Sequence, residues 1–121
     1  ILNIIKKNDL IAQSELFIKE ANNLGIKKKK KHPNLKEILS KIDKDCIPII
    51  LLDWNLIKAK KEKGYQGHFV PIVGYDDKNV YIHNHGLNQP AKFLEINRKI
   101  FDEARKANGT DEDMIFIHRK I

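Results

Sequence analysis

Five histidines and one cysteine are the side chains of this 121-residue sequence with the widest chemistry open to them. One histidine stands where a second polar residue can work with it. His68 follows Gly67 at the start of an apolar, β-branched stretch, and Asn84 closes the next such stretch after the turn Asp76-Asp77-Lys78. In a tight antiparallel hairpin the first residue of one strand lies opposite the last residue of its partner, so these two side chains can meet on one face. An imidazole held by an amide at one ring nitrogen has its tautomer and orientation fixed, and its other nitrogen is ready to move a proton. The same pairing also serves as a plain structural hydrogen bond at a strand end, and the spacing leaves both readings open.

The remaining candidates carry weaker patterns. Cys46 precedes Ile47-Pro48 and a run of apolar residues. A nucleophilic thiolate wants a helix N-terminus or a neighbouring cation to lower its pKa. Apolar flanks do the opposite, so Cys46 reads as a small residue at the edge of the core. His83 and His85 are two positions apart and are expected on the face opposite Asn84. Such a pair can begin a metal site, but no third and fourth ligand stands out, so they read as exposed strand-end histidines with no metal assigned. His32 and His118 have no motif around them, and Trp54 either lines a cleft or packs at a strand end.

These residues need elements to position them. Ser14 is placed to cap a helix carrying Phe17, Ala21 and Leu24 and stopping at Gly25. Leu35, Ile38, Leu39 and Ile42 follow the spacing of one buried helical face, introduced by Asn34 and Glu37 in the positions of a capping box. Cys46 to Leu52 is short, β-branched and apolar on both faces, the pattern of a strand covered on both sides of a sheet, with Pro48 tolerated near its start. Residues 58–66 read as an exposed loop, and His68 to Tyr75 with Asn79 to Asn84 as a hairpin. Ile96, Ile100, Ala104 and Ala107 define a further helical stripe ending near Asn108-Gly109, and Met114 to Arg119 a last strand. The order predicts one α+β domain over residues 1–121, with a largely antiparallel sheet packed with helices.

Composition bounds what such a domain does. A hydrophobic share of 41% with 32% charged residues is that of a globular chain rather than a disordered one. The longest apolar run is far too short to cross a bilayer, so no membrane span is expected. The chain opens on Ile1 rather than Met with neither a signal pattern nor a cleavage site, so its true start is expected to be missing. Its single cysteine excludes an internal disulfide framework and is compatible with a reducing compartment, and a cytoplasmic location is the expectation. The net charge of +7 is concentrated in residues 1–63, which hold 15 Lys/Arg against 8 Asp/Glu, whereas residues 64–121 hold 8 of each. Lys27 to Lys31 repel one another on any regular element and read as a solvated turn. Without interleaved arginines and aromatics they argue against nucleic acid as a partner.

The segment Gly67 to Gly86, GHFVPIVGYDDKNVYIHNHG, resembles the histidine-bearing hairpin of papain-like cysteine peptidases of the double-glycine leader-peptidase type. Looser similarity runs upstream through SELFIKEANNLGIK and IDKDCIPIILLDWN, so that the resemblance covers roughly residues 14–86. It implies a papain-like fold whose N-terminal catalytic helix is not in this chain, 1–121 then being the C-terminal part of the domain. It implies thiol-dependent hydrolysis of a peptide or protein substrate without a cofactor. His68 would be the general base and Asn84, where the family usually has aspartate, the residue that orients it. The nucleophilic cysteine is expected upstream of Ile1. An inactive relative binding a peptide or protein in the same groove is the alternative, and a basic module acting through its lysines a third reading.

Overall fold

The computed structural model describes residues 7–27, 29–58, 61–85 and 90–119 and, in the first helix, side chains from Glu15 onward. The chain divides into two compact units, residues 1–31 and 32–121.

The first unit is built on α1, Lys7–Asn23. Its end follows from Gly25, whose φ of 79° is open to glycine at no steric cost. Ile26 N–H donates to Ala21 O at 2.9 Å and Gly25 N–H to Asn22 O at 3.1 Å, the paired bonds that close a helix through a left-handed residue. The expected stop therefore holds, but the helix starts earlier than Ser14. Serine caps helices yet is also tolerated inside them, so its identity does not fix a boundary. Ser14's side chain lies outside the described residues. Leu16, Phe17 and Leu24 are 53%, 63% and 78% exposed.

The second unit is an α+β layer. Its five-stranded sheet has the order β4-β3-β2-β1-β5, with β1 Cys46–Asp53, β2 Gly67–Tyr75, β3 Asn79–Asn84, β4 Ala91–Asn97 and β5 Met114–His118. Every neighbouring pair is antiparallel. Helices α2, Leu35–Ser40, and α3, Arg98–Lys106, contribute to a single core. Asn34 caps α2, its side chain accepting from Glu37 N–H at 2.8 Å, and Ile38 and Leu39 are buried as their spacing predicts. Across the sheet the inward residues are Ile50 and Leu52, Val70 and Ile72, Val80 and Ile82, and Ile96.

Three expectations need correction. The apolar run of β1 is not covered evenly on both faces, because Ile47 is 42% exposed while Cys46, Pro48, Ile50 and Leu52 are buried. Ile96 belongs to β4, a strand the sequence reading passed over, and Asn97 caps the helix that follows by accepting from Lys99 N–H at 2.9 Å. The buried stripe of α3 is consequently Phe101, Ala104 and Arg105, and Ile100 faces out. A capping asparagine inside an apparently periodic run had merged a strand and a helix into one pattern.

Candidate functional site

His68 is the second residue of β2, opposite Leu52 of β1, and Asn84 ends β3. Their side chains meet: His68 Nε2 and Asn84 Oδ1 are 3.0 Å apart. Asn84 is buried, 6% exposed, and His68 half-buried. An amide oxygen only accepts, so in this arrangement Nε2 carries the hydrogen and Nδ1 keeps its lone pair. Trp54 meets the imidazole edge to face at a centroid distance of 5.0 Å, and the His85 ring stands 5.5 Å away on a tilt of 46°. The imidazole is therefore held by a hydrogen bond, an indole wall and a second imidazole.

The chain between β1 and β2 holds Trp54 in place. Asp53 Oδ1 accepts from Asn55 N–H at 3.1 Å and Gln66 N–H at 3.2 Å, and Trp54 N–H donates to Gln66 O at 2.7 Å. Asn55 bonds the backbone of Glu62 and Gly64, and Lys58 pairs with Glu62 at 3.3 Å. Gln66 ties the two ends together through side-chain bonds with Lys58 and Glu62. A Cβ at Gly67 would sit 2.5 Å from Tyr65 Oη, so a larger residue there would displace the half-exposed Tyr65 ring.

The other candidates separate. His85 lies beside His68, whereas His83 accepts from Phe93 N–H at 3.1 Å and meets the Phe93 ring at 4.7 Å. The expected His83/His85 pair does not form, because β3 ends at Asn84 and a bulge at that point breaks the alternation. Among the described residues no group of three or more His, Cys, Asp or Glu is placed to hold a metal ion. Cys46 is buried, its thiol pushed up by burial and then by Asp43 against the pull of Lys41. It lies at the opposite end of β1 from Leu52, about 20 Å from the strand position facing His68. His32 pairs with Glu112 at 3.0 Å. Glu112 also meets the buried Arg105 at 3.3 Å, and Arg105 Nε donates to Asp102 at 2.7 Å. Arg105 Nη2 is 2.7 Å from the same Asp102 oxygen as an ion pair, but is not directed at it as a hydrogen bond. This network fastens α3 to the loop before β5. Gly86, the last residue of the hairpin motif, lies outside the described residues.

The family model described as guanylylate cyclase matches residues 6–117, nearly the whole chain and across both units. The chain belongs to the guanylylate cyclase family. Compared with curated proteins and with solved structures, it matches none. The family corrects the resemblance to double-glycine leader peptidases, and with it thiol-dependent peptide hydrolysis and the inactive peptide-binding alternative. The alternation from His68 to Asn84 is that of a half-buried hairpin. Among the described residues no helix is long and apolar enough to cross a membrane.

Proposed function

We propose that this domain acts on a guanine nucleotide, closing a cyclic phosphodiester, with His68 as the proton acceptor and Asn84 as the residue that holds it. The reading rests on membership of the guanylylate cyclase family. The observation that supports these roles is the 3.0 Å contact from His68 Nε2 to Asn84 Oδ1, which leaves Nδ1 as a base. In the step proposed, a ribose hydroxyl loses its proton to Nδ1 as its oxygen bonds to the α-phosphorus. The bond from that phosphorus to the bridging oxygen breaks, and pyrophosphate leaves with the electron pair. The imidazolium so formed keeps its Nε2–H on the Asn84 oxygen, which favours the charged ring. Trp54 and Asn84 restrict the ring to one plane, so little reorganisation is needed as the proton moves.

On architecture, we infer a papain-like layering of helix on antiparallel sheet, supported by the position of His68 and Asn84 on the core side of one hairpin. Fold carries no activity with it, so this inference leaves the cyclase reading untouched.

The test is incubation with guanosine triphosphate, with cyclic product and pyrophosphate measured together. Turnover is expected in the 121-residue chain. His68→Gln, which keeps an amide toward Asn84 but takes no proton, should lose roughly 10²- to 10⁴-fold in kcat. Asn84→Ala should lose about 10²-fold through misorientation. Full turnover in His68→Gln would remove the residue assignment, and absence of cyclic product from the unmodified chain would remove the activity.

A further inference from the structure

The sheet of the second unit has a core side and an opposite side, and the opposite side is rich in exposed apolar residues. Residues alternating with the core positions of β1 meet their equivalents across both ladders, Ile47 opposite Ile117, Ile49 opposite Ile115, and Leu51 opposite Phe69. Ile47 is 42% exposed, Phe69 41%, Ile115 54% and Ile117 53%. Phe93, 64% exposed, extends the patch to the far edge, because its ring packs on His83, which alternates away from the core residues Ile82 and Asn84. None of the six cross-strand positions holds a charged residue. Polar and charged side chains normally occupy the solvent face of such a sheet.

We propose that this face is the interface of a homodimer in which two copies pack sheet on sheet. At roughly 200 Å² for a fully exposed large side chain, the five exposed residues present about 500 Å² per copy. Two copies that cover these side chains fully therefore bury about 1,000 Å² from them alone, the minimum expected of a specific interface, with neighbouring residues adding to it. An apolar sheet face is complementary to another of the same kind, since aligned sheets pack at about 10 Å with interleaved side chains. The same patch used twice generates a closed two-fold pair. Charge favours this location as well. A chain of net charge +7 repels its copy, and the repulsion is least where the six central positions carry no charge and where Asp53 and Glu95, which share this face by alternation, are acidic.

The experiment is sedimentation equilibrium of the full chain from micromolar to sub-millimolar concentration, beside Ile47→Lys and Ile115→Thr. The unmodified chain should pass from monomer to dimer with rising concentration. Ile47→Lys should weaken the dimer by about thirtyfold, the loss of one hot-spot side chain. Ile115→Thr keeps β-branching at an exposed position and retains the test should the lysine variant fail to fold; it should weaken the dimer in the same direction. A chain that stays monomeric throughout, whether bare on this face or covered there by another segment of itself, overturns the proposal. So does a dimer whose dissociation constant neither folded variant moves.

Discussion

A ring nitrogen that donates a hydrogen cannot accept one, and that rule gives His68 its proposed direction of action. With Nε2 on Asn84, only Nδ1 can serve as a base, so the asparagine selects a tautomer as well as an orientation. Both residues were legible in the sequence because a hairpin with a short turn brings its ends together whatever its function. The walls around the ring were not legible. His85 reads by alternation as a partner of His83, and only the end of β3 at Asn84 turns it toward His68. Trp54 is placed by a loop whose hydrogen bonds span residues 53–66, a separation no local pattern encodes. Cys46 gives the residue-scale prediction. With its thiol pushed up by burial, it should react with thiol reagents at neutral pH many times more slowly than free cysteine. The rate should rise in alkaline solution, and Cys46→Ala should leave turnover unchanged. Rapid labelling at neutral pH that also abolishes turnover would contradict both the burial and the remote placement.

Elements were readable where one residue type sets a boundary and unreadable where two elements share one period. Gly25 ends α1 and Asn34 begins α2 as their chemistry requires. Between β4 and α3, by contrast, Ile96 and Ile100 are four apart and mimic a helical face, although the first lies on a strand and the second faces solvent. The hairpin turn carries its own electrostatic device. The Tyr81 hydroxyl donates to Asp76 Oδ2 at 2.6 Å, and the N–H groups of Lys78 and Asn79 donate to Oδ1 at 2.9 and 2.7 Å. These bonds, in that order, hold the Asp76 carboxyl below its ordinary range. A carboxylate whose folded pKa is depressed stabilises above its unfolded value, and that contribution is lost as pH falls through the folded pKa. Asp76→Asn should therefore lower the melting temperature at neutral pH, and the gap to the unmodified protein should narrow in acid. A gap that stays constant from neutral to acid pH would mean that ionisation of Asp76 does not support the turn.

At the scale of the whole molecule, the core of the second unit depends on α3 as well as α2, and a one-residue rotation of α3 would change which of its side chains enters it. Phe101 and Ala104 are fully buried and belong to the cluster formed with Ile50, Leu52, Val80, Ile82 and Trp54, whereas Ile100 is 42% exposed. The rotation is fixed from both ends. Asn97 sets the first turn, and the buried Arg105 is held by Asp102 and Glu112 at the last. Because Trp54 shares this core with Phe101 and touches His68 on its other side, packing of α3 is coupled to the ring that the proposed chemistry uses. Phe101→Ala should cost about 3 to 5 kcal/mol, combining lost transfer energy with the cavity left in a core that relaxes only in part. Against the roughly 5 to 15 kcal/mol that stabilise an ordinary domain, that is enough to unfold a substantial fraction of molecules near physiological temperature. Ile100→Ala, one position away and outside the core, should cost about 0.5 kcal/mol or less. Urea denaturation of the two variants, followed by Trp54 fluorescence, compares them directly. A smaller loss in Phe101→Ala than in Ile100→Ala would place the buried stripe of α3 one residue earlier, on the face that the sequence period alone had indicated.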